Sequence, residues 1–201
     1  MIDPKYLRTE QYKDSSKLAA RARLHSQYSS NPHGWFDWMF DLYDLPPNAR
    51  ILELGGGAGW LWLRNAERIP PAWEITVSDF SAGMVAEQQQ SLARIPRTFD
   101  FREIDIQAIP FEDDTFDGVI ANHMLYHVPD RPKAIAEMRR VLKPSGTLYA
   151  ATNGEKHLQE LHQLMRNFGF QPEEWLSGFA DRYSFTLENA AEQLKAQFAQ
   201  A

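Results

Sequence analysis

The sequence predicts an α/β fold built on a doubly wound, open and mostly parallel sheet, and three observations carry that prediction. From Arg50 to Thr152, short apolar runs alternate with stretches of helical periodicity, the pattern of βαβ units. The first run, Ile51-Leu52-Glu53-Leu54, feeds directly into Gly55-Gly56-Gly57-Ala58-Gly59 and then a helical stretch, which reads as strand, tight turn and helix in succession. The chain of 201 residues, 43% of them hydrophobic, is long enough for one sizeable core and fits a single domain.

Taken in order, Asp14–Ser29 reads as a helix, with Asp14 and Ser15 as candidate N-caps and Leu18, Ala22 and Leu24 as its apolar marks. Asn31-Pro32-His33-Gly34 breaks it. A second, aromatic-rich helical segment runs from Trp35 to Leu45 and stops at Pro46-Pro47. Strands are expected at Arg50–Leu54, Glu74–Asp79, Thr98–Asp105, Phe116–Asn122 and Gly146–Thr152. Helices at Trp60–Ile69, Ala82–Ile95 and Pro132–Leu142 connect them, the last capped by Asp130 with Pro132 in its first turn. Right-handed crossovers then order the sheet 3-2-1-4-5. Beyond Thr152 only helical patterns follow, at Glu155–Phe168 and Leu187–Phe198. The domain thus divides into an N-terminal helical lid (1–47), an α/β core (48–152) and a helical C-terminal segment (153–201). The strand Gly146–Thr152 is left with an exposed edge, which residues 155–201 or a second copy of the chain, in a homodimer, is expected to cover.

Composition excludes several classes. With 21 Lys and Arg against 27 Asp and Glu, the net charge of −6 offers no field for a phosphate backbone, so nucleic acid is not an expected partner. The absence of cysteine removes disulfides, thiolate metal sites and cysteine nucleophiles. No apolar run approaches the roughly 18 residues of a bilayer span. The start of the chain shows neither the basic stretch nor the apolar stretch of a secretory signal. The expectation is a soluble, cytoplasmic protein without a membrane partner.

The glycine-rich turn is where a nucleotide-like cofactor is expected. Glycines there permit positive φ and a close approach of ligand to backbone, and amides at the start of the following helix favour an anionic group. A dinucleotide and S-adenosylmethionine both suit such a turn. The dinucleotide fingerprint Gly-x-Gly-x-x-Gly, counted from Gly55 and Gly57, puts Trp60 at the third glycine, which counts against a nicotinamide oxidoreductase. The run Glu53-x-Gly55-x-Gly57-x-Gly59 instead resembles motif I of the class I S-adenosylmethionine-dependent methyltransferases, in which an acidic residue on the first strand precedes the glycines.

Further stretches resemble the same family in the same order: Val77-Ser78-Asp79-Phe80-Ser81-Ala82-Gly83-Met84, Asp105-Ile106, Ile109–Asn122 and Leu142–Leu148. The resemblance covers about Arg50–Thr152 and is nearest the ubiquinone-biosynthesis type of small-molecule methyltransferase. It implies S-adenosylmethionine as cofactor, held by Glu53, Gly55, Gly57, Gly59, Asp79, Phe80, Met84, Asp105, Ile106 and Asn122. In that scheme Asp79 accepts from two ribose hydroxyls, and Asp105 takes the exocyclic amine of adenine with Ile106 as an apolar wall. Asn122 holds the methionine end through its carbonyl. The family normally adds a sixth and a seventh strand, which this sequence does not show.

His123 and His127 fall just beyond the fourth strand, at the edge where the reacting methyl group would lie. They are the candidate catalytic residues, His127 the better placed as a general base because it sits farther past the strand. A zinc reading of the pair lacks the Glu of His-Glu-x-x-His and a third ligand, so no metal is expected. Tyr12, His25, Tyr28 and the Trp35–Tyr43 cluster are candidate lid contacts. Most of that aromatic run reads as core, with Trp35 or Trp38 sharing the substrate wall. The function implied is in-line transfer of a methyl group to a small-molecule acceptor. A catalytically inactive protein that binds the cofactor, or an interaction protein that keeps its site, is the alternative.

Overall fold

The structure, a computed structural model, describes residues 12–171 and 184–198 together with Tyr6 and Glu10. Five strands form one all-parallel sheet: β1 Arg50–Glu53, β2 Glu74–Asp79, β3 Asp100–Glu103, β4 Phe116–Asn122 and β5 Leu142–Ala151. Their order is β3-β2-β1-β4-β5, as expected, with the chain reversing its direction of winding between β1 and β4. That reversal opens a crevice beyond the carboxyl ends of β1 and β4, the place where open α/β sheets bind ligands.

Seven α-helices accompany the sheet among the described residues: α1 Ser16–Tyr28, α2 Trp35–Asp41, α3 Trp60–Arg64, α4 Ala82–Leu92, α5 Arg131–Val141, α6 Gln159–Asn167 and α7 Ala190–Leu194. Alternation along the strands divides the core in two. Leu52, Leu54, Val119 and Ala121 face Ala134, Ile135, Met138 and Phe185 on one side. Ile51, Ile75, Val77 and Ile120 face Met39, Phe40, Trp62 and Leu92 on the other.

Element ends differ from expectation where local geometry intervenes. The expected strand Thr98–Asp105 shortens to Asp100–Glu103, and the residue after it, Ile104, is already buried in the core. The expected helix Trp60–Ile69 breaks at Asn65, whose side-chain amide donates to the carbonyls of Leu61 and Phe36 at 2.9 and 3.0 Å, and a short 3-10 turn, Ala66–Arg68, follows. Strand β5 begins at Leu142 rather than Gly146, directly after α5. It takes up Lys143–Gly146 as a bulge between the pairs Phe116–Leu142 and Gly118–Thr147. The expected helix from Glu155 begins only at Gln159, because Leu158 turns the chain through a left-handed φ of 60°. The helix expected at Leu187–Phe198 is confined to Ala190–Leu194. Leu24 falls outside the described side chains. At the start of α1, the Asp14 carboxylate accepts from the Ser16 amide at 3.0 Å, whereas Ser15 caps nothing with its side chain. Asp130 caps α5 as expected, accepting from the Lys133 amide at 3.1 Å.

Among the described residues no strand pairs with the far side of β5. The C-terminal segment docks at the end of that strand instead. Thr152 Oγ1 donates to the Phe185 carbonyl at 2.7 Å, the Leu187 amide donates to Asn153 at 3.2 Å, and Phe185 itself is 1% exposed. Arg131 of α5 fixes the segment by donating to the carbonyl of Ser184 and to Gln193 Oε1, at 3.1 and 3.0 Å. No helix among the described residues is long and apolar enough to cross a membrane.

Candidate cofactor and acceptor site

At the carboxyl end of β1 the backbone enters left-handed geometry three times, with φ of 65° at Gly55, 56° at Gly57 and 76° at Gly59. Side chains are strained at such angles. The Gly56 amide donates to the Ser78 carbonyl at 2.9 Å and the Gly57 amide to Asp79 Oδ2 at 3.1 Å, so the turn is moored to the end of β2. Over Gly57 lies Leu18 of α1, whose Cδ2 would be 3.2 Å from a Cβ at that position. The turn is thus a cradle of bare backbone that a single methyl group would begin to fill.

Asp79 is the polar centre of this end. Its other oxygen, Oδ1, accepts from the Ser81 amide at 2.9 Å. Burial pushes its carboxyl up to about 6, against the lowering effect of amides from Ser81, Gly57 and Phe80. Three amides leave one of the roughly four acceptor positions of the carboxylate, and through it the group can accept from a ligand hydroxyl. Glu53 behaves differently. It is 3% exposed and its Oε2 accepts from the Trp62 indole at 2.7 Å, beneath the turn. Burial pushes this carboxyl up to about 7, the Trp62 bond lowers it, and the charge of Asp79 raises it further. Met84 is likewise fully buried below the site, with its amide facing the Ser81 hydroxyl. Phe80 follows Asp79 at the entrance to α4. Asp105 accepts from the amide and side chain of Gln107, at 2.9 and 3.1 Å, and Ile106 is 5% exposed. Asn122 directs its side-chain amide at the Tyr43 hydroxyl, 3.3 Å away, and its Oδ1 is buried with no hydrogen-bond partner.

The acceptor end is built by long-range contacts. Tyr12, ahead of α1, places its hydroxyl 2.9 Å from His127 Nε2, a pairing across 115 positions of sequence. The rings meet edge-on at 5.5 Å, and Tyr126 packs against the other side of the imidazole at 4.5 Å. His123 is held at φ 54° and its ring lies 5.0 Å from Trp35, which in turn is 5.2 Å from Trp38. Burial pushes the His123 imidazole down to about 4, with His157 and His25 adding positive charge nearby. It is therefore a neutral wall at ordinary pH and a weaker base than a histidine in water. Within the aromatic run, Met39 and Phe40 are buried, while Trp35 and Trp38 are 42% and 44% exposed. Tyr28 is 77% exposed and stands outside this cluster. No group of three or more His, Asp or Glu among the described residues is arranged to hold a metal ion.

Three contributors were not identified from sequence. Ser81 donates its hydroxyl to the Tyr12 carbonyl at 2.7 Å, Glu87 accepts the Ser15 amide at 2.9 Å, and Trp62 occupies Glu53. Of these, only Ser81 had a local signal, as an N-cap type two residues after Asp79.

A parallel sheet reversing at β1 and β4, a bare glycine turn and an acidic group closing β2 define an open α/β fold whose crevice suits a nucleoside-type ligand. Residues 52–150 match the family model described as a methyltransferase domain, and the relatives this stretch resembles support a class I S-adenosylmethionine-dependent methyltransferase family. It is 27% identical over 138 residues to the ubiquinone/menaquinone biosynthesis C-methyltransferase UbiE of Pasteurella multocida, covering 68% of this chain and 52% of that protein. The chain thus spans about half the length of the curated relatives it matches. Among solved structures it resembles the cyclase SpnF, at 30% identity and a TM-score of 0.53, over 57% of this chain and 42% of that one. It also resembles phosphoethanolamine N-methyltransferase 2 of Haemonchus contortus bound to S-adenosylhomocysteine, with a TM-score of 0.70 and 20% identity over 98% of this chain and 44% of that one. The last likeness is one of fold. The cofactor of the class is S-adenosylmethionine, and the glycine cradle and the acceptor capacity of Asp79 fit it.

Proposed function

We propose that the protein transfers a methyl group from S-adenosylmethionine to a small-molecule acceptor, with His127 as the proton acceptor and Tyr12 as its partner. The observation that carries this reading is the Tyr12–His127 bond of 2.9 Å just beyond the end of β4. The bound cofactor supplies an electrophilic methyl group on sulfur, which an acceptor nucleophile takes in line as the carbon–sulfur bond breaks. The chain's own part is largely positional, and alignment of two reactants can supply about 7 kcal/mol or more. Asp79 would accept from a ribose hydroxyl, Asp105 would hold the adenine amine beside Ile106, and Asn122 would hold the methionine end. Gly55, Gly57 and Gly59 would admit the ligand against the backbone. A proton leaving the acceptor passes to the Tyr12 hydroxyl as that hydroxyl gives its own proton to His127 Nε2, 2.9 Å away. Trp35 and the neutral ring of His123, tilted 48° to one another, form two faces of a wall for the acceptor. UbiE relatives, named for C-methylation in quinone biosynthesis, support a small-molecule acceptor.

A protein that binds the cofactor without transferring methyl is the second reading, favoured by the similarity to SpnF, which is named a cyclase. Incubation with S-adenosylmethionine and a panel of phenols, amines and carbon acids, read as release of S-adenosylhomocysteine, separates the two. Acceptor-dependent release lost in His127→Ala supports transfer. Tight cofactor binding with no release across the panel supports the alternative.

A further inference from the structure

We propose that a notch at Gly83 in α4, flanked by Ser81 and Glu87, is a positioning site that seats the segment Tyr12–Leu18 so that Tyr12 meets His127. The inference rests on the cofactor and acceptor reading above. A Cβ added at Gly83 would lie 2.0 Å from the carbonyl oxygen of Lys13 and 3.1 Å from its carbonyl carbon. Gly83 does not adopt a left-handed φ, and glycine is a poorer helix former than alanine. The helix gains nothing from glycine at this position. What requires it is the backbone passing overhead.

Two hydrogen bonds fix the same segment on either side of that crossing. The Ser81 hydroxyl donates to the Tyr12 carbonyl at 2.7 Å, and Glu87 Oε1 accepts from the Ser15 amide at 2.9 Å. Gly83 and Glu87 are four residues apart and share a face of α4. Residues 12, 13 and 15 are therefore held in register on one stripe of one helix. From that seat the segment reaches both ends of the site. Tyr12 extends to His127 at 2.9 Å, and Leu18 lies over the bare backbone of Gly57. A ligand lying along the glycine turn beside Asp79 lies beneath this strap, so the depth of the notch governs how firmly the strap closes on it. None of Ser81, Gly83 and Glu87 touches the reacting atoms. They act through Tyr12 and Leu18.

The test uses the full chain and S-adenosylhomocysteine as probe, with variants Gly83→Ala, Glu87→Ala and Glu87→Gln. Gly83→Ala is expected to weaken binding about tenfold, about 1.4 kcal/mol, while the Tm of the ligand-free protein stays the same or rises. Glu87→Ala is expected to weaken it about threefold, whereas Glu87→Gln, whose amide oxygen still accepts from Ser15, keeps wild-type affinity. The nitrogen chemical shifts of the His127 ring should move in Gly83→Ala and those of His33 should not. Wild-type affinity and an unmoved His127 signal in both alanine variants would overturn the proposal. If Gly83→Ala lowers the Tm, the Glu87 pair decides: equal affinity of the Ala and Gln variants overturns it. Failure of the wild-type chain to bind the probe would instead remove the cofactor reading on which the seat rests.

Discussion

The carboxyl end of β1 and β2 and the region beyond β5 are built on different terms. At the first, the polar contacts are short and local in space: Gly56 to Ser78 and Gly57 to Asp79 join adjacent strand ends, and Ser81 to Asp79 closes the turn after β2. Beyond β5 the chain presents Leu161, Leu164 and Phe168 to solvent, at 47%, 52% and 73% exposure, and no residue of α6 is buried. The cofactor end is a backbone construction, specified by glycine and by strand order. The candidate acceptor end is assembled from side chains of the N-terminal segment, Tyr12 and Trp35, and of the stretch after β4, His123 and His127.

The contrast can be broken in order of size. His127→Ala should lower methyl transfer by on the order of 100-fold with the acceptor that the panel identifies, and change S-adenosylhomocysteine affinity much less. An equal loss of both would place His127 in the cofactor site and erase the division. Asp79→Ala should do the reverse, weakening S-adenosylhomocysteine roughly 10- to 100-fold by removing a charged hydrogen-bond acceptor. The variant should still unfold cooperatively, at a somewhat lower Tm because the Gly57 and Ser81 amides lose their acceptor. Unchanged affinity in calorimetry would exclude the assigned ribose contact.

The pH dependence sharpens the same point. Burial raises Asp79 to about 6 and Glu53 to about 7, both above their values in an unfolded chain. Between about pH 4 and 7 the folded protein therefore holds protons that the unfolded chain has released, and this contribution to ligand-free stability falls as pH rises through that window. Ligand affinity should run the opposite way, because ionised Asp79 is the better acceptor of hydroxyl donors. Calorimetry at pH 5 and pH 7.5 should show weaker S-adenosylhomocysteine binding at the lower value, by about tenfold if only the ionised form binds. A flat profile would dissociate Asp79 from the ligand. The smallest effect belongs to the other region: Leu164→Ser should change stability by no more than about 0.5 kcal/mol and leave ligand affinity alone. A large drop in Tm would show that the apolar face of α6 has a partner.

How much was legible follows from the same difference. Strand order and the glycine turn could be read because their determinants are consecutive in sequence, from Ile51 through Gly59. The start of β5 could not, because the bulge at Lys143–Gly146 interrupts its pattern although Leu142 already pairs with Phe116. The delayed start of α6 depends on a single left-handed residue, Leu158, which no local propensity announces. Tyr12 and His127 were each identifiable as site candidates, but their bond spans 115 positions and required the fold. The burial of Glu53 under Trp62 was hidden for a related reason: the sequence shows an acidic residue before the glycines, not which way its side chain turns.

The most direct test of the central claim, that this turn takes S-adenosylmethionine rather than a dinucleotide, is calorimetric titration of the protein with S-adenosylhomocysteine and, in parallel, with NADH. Micromolar binding of the first and none of the second is the predicted result. Binding of NADH, or no binding of the adenosyl ligand to a protein that still unfolds cooperatively, would contradict it.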